Sequence, residues 1–167
     1  LYKSCPMDQL SKENPDLLIN ISASPFDYNH GKDRLSICKK NATQYNLPLF
    51  LVNHVGAQTE LVFDGGSLAM NANGEPVDQL PYFEEDIRFY NWSPETRTIK
   101  IDDSTSHIKS KNGAFSKTEL IHNALILGIK DYFRKSNLSK AILGLSGGID
   151  SAVTLAIACS ALGKENV

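Results

Sequence analysis

Ala141-Ile142-Leu143-Gly144-Leu145-Ser146-Gly147-Gly148-Ile149-Asp150-Ser151 joins an apolar run to a turn of small polar residues. Its first half is a short apolar run, which predicts a buried strand over 141–145. Its second half is a turn rich in Gly and Ser. Residues Ala152 to Leu162 follow, small and apolar, and predict a packed helix. Upstream, Ser116-x-x-Glu119 is a capping box, and Ile121, Leu125, Gly128, Ile129, Tyr132 and Phe133 recur at helical spacing. The order helix, strand, Gly-rich turn, helix predicts the opening unit of a doubly wound parallel sheet.

Such a turn suits a phosphate. Phosphate oxygens need several N–H donors converging on a small volume. Gly147 and Gly148 have no Cβ, so the backbone can approach an anion closely. The helix beyond offers unpaired N–H groups and the positive end of its dipole. Ser146 and Ser151 add hydroxyl donors. Ionised Asp150 cannot donate to a phosphate, and its useful role is to hold Mg²⁺. The pattern G-x-x-x-x-G-K-[ST] is absent because no Lys follows the glycines, and Gly144-x-x-Gly147-Gly148 does not fit G-x-G-x-x-G.

The N-terminal half reads differently. Asp16 to Ile21 and Leu49 to Val52 predict buried strands, and 33–46 predicts a helix with Leu35, Cys38 and Ala42 on one face. Asp64-Gly65-Gly66, between two apolar runs, reads as a hairpin turn, as does Asn73-Gly74; Val77 to Phe83 predicts a further strand. Residues 91–115 are polar and without period, which predicts a linker. The division expected is therefore 1–92, a linker over 93–115, and 116–167. The first segment begins almost at once and the last stops where a new strand is starting, so the 167 residues read as a piece of a longer chain.

Composition narrows the class. The chain is 41% hydrophobic and 22% charged, which excludes disorder and fibrous repeats. A net charge of −2 gives no basic field for nucleic acid or acidic membranes, and no apolar run is long enough to span a bilayer. Cys5, Cys38 and Cys159 make neither a disulfide framework nor a metal-ligand spacing, so a reducing, cytoplasmic setting is expected. The Asn-x-Ser/Thr triplets at Asn20, Asn41, Asn91 and Asn137 are read as chance.

Ser146-Gly147-Gly148-Ile149-Asp150-Ser151 resembles the pyrophosphate loop of the ATP pyrophosphatase superfamily, S-G-G-x-D-S, with every fixed position present. Asn20-Ile21-Ser22-Ala23-Ser24-Pro25-Phe26, then Gly31-Lys32, then Asn53-His54-Val55-Gly56 through Asp64-Gly65-Gly66-Ser67, resembles the later part of a nitrilase-type glutamine amidase. An amidase of this type ahead of that loop is the arrangement of the glutamine-dependent NAD synthetase family. The resemblance implies the C-terminal part of an α-β-β-α sandwich, followed by the first helix-strand-helix unit of a doubly wound, adenine nucleotide alpha hydrolase-like sheet. It implies ATP as substrate with Mg²⁺ at Asp150, and Gly144, Leu145, Ser146, Gly147, Gly148, Ile149, Asp150 and Ser151 at the nucleotide. Deamido-NAD⁺ and L-glutamine, as the source of ammonia, complete the substrates, and a homo-oligomer is expected. Ser24 and Lys32 take the positions that contact glutamine, although the spacing to Lys32 is longer here by Tyr28 and Asn29. Cys5 is followed by Pro6-Met7, not Glu-Asp, so it is not the nucleophile. That cysteine and its Glu and Lys partners are expected upstream, and the 167 residues alone are expected to be inactive.

Other readings were open at the same residues. Lys32 and Arg34 could be solvated surface cations, and His54 a rim histidine without catalytic work. Glu60 and Asp64 invite an acid/base pair. Another pyrophosphate-loop enzyme is one alternative, but a GMP synthetase pairs its loop with an amidase that lacks the Asn20–Phe26 run, and a tRNA thiolase is expected to carry CxxC pairs or basic clusters, which this sequence lacks. A non-catalytic assembly module is the remaining alternative.

Overall fold

The computed structural model describes residues 5–102 and 115–167. The expected linker therefore falls mostly outside the described residues, over 103–114. The architecture is mixed α/β.

A four-stranded sheet forms the first layer, in the order β1 (Leu18–Ser22), β2 (Leu49–Asn53), β5 (Leu68–Met70), β6 (Pro76–Gln79). β1 and β2 run parallel, and the other neighbours are antiparallel. The parallel step is bridged by α2 (His30–Tyr45), and a short α1 (Pro6–Leu10) precedes β1. Helix α2 lies on one sheet face. Cys38 and Ala42 meet Leu18, Leu49, Leu51, Leu68 and Met70 in a shared core. The inward face is turned one residue from the expected one: Arg34 is buried with Cys38 and Ala42, while Leu35 is 40% exposed.

β1 corrects the expectation of a buried strand. It is an edge strand whose outer face, with Ile19 64% and Ile21 82% exposed, meets no element among the described residues. The Asp64-Gly65-Gly66 hairpin is also corrected. β4 (Leu61–Asp64) pairs with β3 (Val55–Gln58) in a separate ribbon, and β5 pairs with β2 and β6. Gly65 and Gly66 both take left-handed φ, +67° and +64°, and carry the chain from ribbon to sheet. A Cβ at Gly66 would stand 2.5 Å from the Tyr82 ring, so the turn needs glycine for space as well as for φ. Asn73-Gly74 does close a hairpin, between β5 and β6.

Residues 93–101, expected as linker, form structure instead. β7 (Tyr90–Ser93) and β8 (Thr98–Ile101) make a hairpin. Tyr90 donates its hydroxyl to Asp78 (3.1 Å), Asn71 accepts from the Ile99 N–H (2.8 Å), and Ile99 is 1% exposed. Alternation of Tyr90, Trp92, Ile99 and Ile101 is too short to stand out among polar neighbours.

α3 (Lys117–Lys135) opens on the predicted capping box. Ser116 Oγ accepts the Glu119 N–H (3.2 Å), and the Ser116 N–H donates to Glu119 Oε2 (2.7 Å). The face it buries is narrower than its apolar stripe: Ala124 and Asp131 are buried, while Leu125 and Tyr132 are 47% and 55% exposed. This face lies on the β3–β4 ribbon. Residues 141–145 do not form the expected buried strand. Ile142 is fully exposed and no strand lies beside them among the described residues; apolar character alone cannot make a strand without a partner. α4 (Ile149–Leu162) packs against α3, with Ala161 buried and Ile149 76% exposed.

Candidate functional site

Gly147 takes φ +84°, and a Cβ built there meets nothing within 4 Å, so the turn is open and free of side-chain bulk. Gly148 is the N-cap of the 14-residue α4 and no side chain caps it. The first amides of α4 are thus left without intrahelical or side-chain acceptors, as a helix start dictates. Ser146 and Ser151 are brought together, their hydroxyls 3.1 Å apart across the turn. Ser151 donates to the Gly148 carbonyl (2.9 Å), which fixes the turn's closing geometry. The Gly148 N–H reaches Ser146 Oγ at 3.4 Å, a weak bond that an incoming acceptor can replace. Asp150 is exposed in the first turn of α4. The arrangement offers converging backbone N–H groups, two hydroxyls and one carboxylate to solvent, which is the donor set of a polyphosphate site.

No group of three or more His, Cys, Asp or Glu side chains that could hold a metal exists among the described residues, so Asp150 belongs to no all-protein cage. That fits Mg²⁺, which binds through one or two carboxylates together with substrate phosphates rather than in an all-protein cage.

The second group of expected residues sits at the end of β1. Ser24 follows the strand and is half-buried, its N–H donating to Asn53 Oδ1 (3.0 Å). Lys32 is exposed in the first turn of α2. Arg34 is not a surface cation: it is 9% exposed and grips Asp64 in a bidentate pair, at 2.7 and 3.0 Å. Asp64 therefore cannot act with Glu60 as an acid/base pair, since Glu60 is exposed in the β3–β4 turn. His54 is exposed and packs edge-on against Phe63, with ring centroids 4.9 Å apart. Cys5 is exposed against the Tyr45 hydroxyl (3.6 Å), which holds its thiol below the ordinary value. A cleft of about 950 Å³ lies beyond β2, with Asn53, His54, Gly66 and Ser67 on its wall; neither Ser24, Lys32 nor the Ser146–Ser151 turn lines it.

Sequence reasoning missed Asp131. Its Oδ2 accepts the Ala57 N–H (2.8 Å), and Lys135, one helical turn on, donates to the Ala57 carbonyl. Two side chains of α3 thereby satisfy both backbone groups of one β3 residue, as a neighbouring strand would. Burial pushes the Asp131 carboxyl up, but the Ala57 N–H, Arg134 and Lys135 outweigh it and hold it below its usual range. A carboxylate on the narrow face Ala124–Gly128–Asp131 was the available signal.

A family model described as NAD synthase matches residues 121–167. The chain is 40% identical over 166 residues to the glutamine-dependent NAD(+) synthetase of Synechocystis sp., covering 99% of this chain and 29% of that protein. It is 36% identical over 159 residues to that of Acinetobacter baylyi, covering 95% and 28%. The solved structure of glutamine-dependent NAD+ synthetase from Acinetobacter baumannii, in complex with ADP, matches with a TM-score of 0.85 at 36% identity, covering 96% of this chain and 29% of that one. That of the Cytophaga hutchinsonii enzyme matches at 0.69 and 19% identity, covering 93% and 25%, a likeness of fold. The chain thus spans about three-tenths of the length of the curated relatives it matches. Likeness along nearly its entire length, through both the Ser24 segment and the Ser146–Ser151 turn, is what places it: the chain belongs to the glutamine-dependent NAD(+) synthetase family.

Proposed function

We propose that the full-length protein carrying these residues makes NAD⁺ from deamido-NAD⁺, ATP and glutamine. The observation that carries this reading is the uncapped turn Ser146–Ser151, open at Gly147, at the start of α4, in a chain with the relatives described. A nicotinate carboxylate oxygen of deamido-NAD⁺ attacks the α-phosphorus of ATP, and pyrophosphate leaves. Ammonia from glutamine then attacks the acyl carbon, and AMP leaves. The products are NAD⁺, AMP, pyrophosphate and glutamate.

Gly144 and Leu145 lead into the turn, and the amides of Gly147 to Ser151 with the hydroxyls of Ser146 and Ser151 hold the β- and γ-phosphates, which depart as one group. Asp150 holds Mg²⁺, which supplies charge neutralisation to the departing diphosphate when bound. Ser24 and Lys32 contact glutamine, and the cysteine nucleophile with its Glu and Lys partners lies upstream of these residues. Residues 1–92 form the later part of a nitrilase-like α-β-β-α sandwich, which the β7–β8 hairpin extends to Ile101. Residues 116–167 open a doubly wound sheet, in which the extended run 141–145 takes the first strand's place once the rest of the sheet stands beside it. The order α3, extended run, turn, α4 supports that last assignment. No helix among the described residues is long and apolar enough to cross a membrane. A cytoplasmic homo-oligomer acting on small molecules, without nucleic acid, completes the reading.

The test is isotopic. Full-length protein with deamido-NAD⁺, MgATP and amide-¹⁵N glutamine is expected to place ¹⁵N in the carboxamide of NAD⁺, with AMP and pyrophosphate formed one to one. Formation of ADP and phosphate, or AMP and pyrophosphate without NAD⁺, contradicts it; the second outcome favours a pyrophosphate-loop synthetase with a different acceptor.

A further inference from the structure

We propose that Asn53 is a positioning residue for Ser24, locked in one orientation by the buried Arg34–Asp64 pair; the inference rests on the reading of Ser24 as a glutamine contact. Asn53 ends β2 and is 5% exposed. Its amide oxygen accepts two bonds from the end of β1 and the residues beyond it, from Ser22 Oγ (3.2 Å) and from the Ser24 N–H (3.0 Å). Its amide nitrogen faces two acceptors, the Gly65 carbonyl (2.9 Å) and Asp64 Oδ1 (3.4 Å). Donors on one side and acceptors on the other leave a single orientation of the amide that satisfies both. Its backbone is pinned as well, the Asn53 N–H donating to Ser67 Oγ (3.0 Å).

The acceptor side is itself fixed. Arg34 donates to both Asp64 oxygens and also to the Gly65 carbonyl (3.3 Å). A rigid guanidinium fork thus orients the carboxylate, the carboxylate and Gly65 orient the Asn53 amide, and the amide orients Ser22 to Ser24. Ser24 Oγ has no partner among the described residues, so the network shapes the backbone beneath the hydroxyl and leaves the hydroxyl to a ligand. Fixing a ligand-contacting group through its main chain costs no side-chain contact at the site itself.

The experiment is steady-state kinetics on the full-length enzyme, with NAD⁺ formation driven by glutamine or by added ammonia. Asn53→Asp keeps the acceptor for Ser24 but sets a carboxylate oxygen against Asp64. It is expected to raise the glutamine KM by about tenfold to a hundredfold and to raise the ratio of ammonia-driven to glutamine-driven turnover. The KM for deamido-NAD⁺ is measured on the same variant as the control for general damage, and is expected to move by less than about threefold. Ser24→Ala is measured in parallel. If Ser24→Ala leaves the glutamine KM unchanged, the site reading fails. If it raises KM while Asn53→Asp does not, or if Asn53→Asp raises the KM for deamido-NAD⁺ as much as that for glutamine, the positioning role is overturned.

Discussion

Asp150→Ala in the full-length protein is expected to lower deamido-NAD⁺-dependent pyrophosphate release by about a hundredfold or more, the scale on which one preorganised electrostatic contact to a developing charge matters. Asp150 is the one carboxylate the Ser146–Ser151 turn presents, exposed in the first turn of α4. Asp150→Asn keeps the shape and removes the charge, so it is expected to lose nearly as much if charge on a cation is the role. A helix-capping role predicts the opposite, because Asn caps a helix as well as Asp does. Pyrophosphate release by Asp150→Asn within threefold of the unsubstituted protein contradicts the assignment. Recovery of part of the loss at raised Mg²⁺ supports it.

Asp64→Ala is expected to destabilise the protein by about 3–5 kcal/mol, since it strands a buried guanidinium. The Arg34 side chain is 10% exposed and that of Asp64 2%. Arg34 Nε is already buried without a hydrogen-bond partner among the described residues, so the cation has little left to lean on once the carboxylate is gone. Replacing both partners, Arg34→Met with Asp64→Leu, removes the charge and its counter-charge together, and is expected to cost much less than Asp64→Ala alone. The measurement is the denaturation midpoint by urea with the slope held constant. A shift for Asp64→Ala worth less than about 1 kcal/mol, the ceiling of an exposed pair, contradicts the buried-pair account.

These two sites differ in how legible they were. The turn Ser146–Ser151 is local: Gly-Gly for space, Ser for hydroxyls and Asp for charge stand within six residues, directly before a helix that the sequence also announces. The capping box Ser116–Glu119 and the Asn73–Gly74 turn are local in the same way, and each stands where its chemistry demands. Arg34 and Asp64 are thirty residues apart, and their pairing is a tertiary fact. The available hint was spacing: Arg34, Cys38 and Ala42 stand four apart, so a cation shared the apolar stripe of α2 and needed a counter-charge. The same non-local pairing explains the Asp64-Gly65-Gly66 error. Two glycines at positive φ suit a hairpin and a sheet-to-sheet crossing equally, and the burial of Asp64 against α2 selects the crossing. Residues 141–145 form no strand for the converse reason: their apolar pattern is genuine, but a strand exists only beside another.

Hydrogen exchange at the peptide spanning Gly144 to Leu155, in the full-length protein with and without MgATP, probes the grip on the diphosphate without relying on turnover. Saturating MgATP is expected to slow exchange of the amides from Gly147 to Ser151, and Asp150→Ala to remove most of this protection. Exchange through this peptide that stays unchanged at saturating nucleotide, in a protein that still makes NAD⁺, contradicts it.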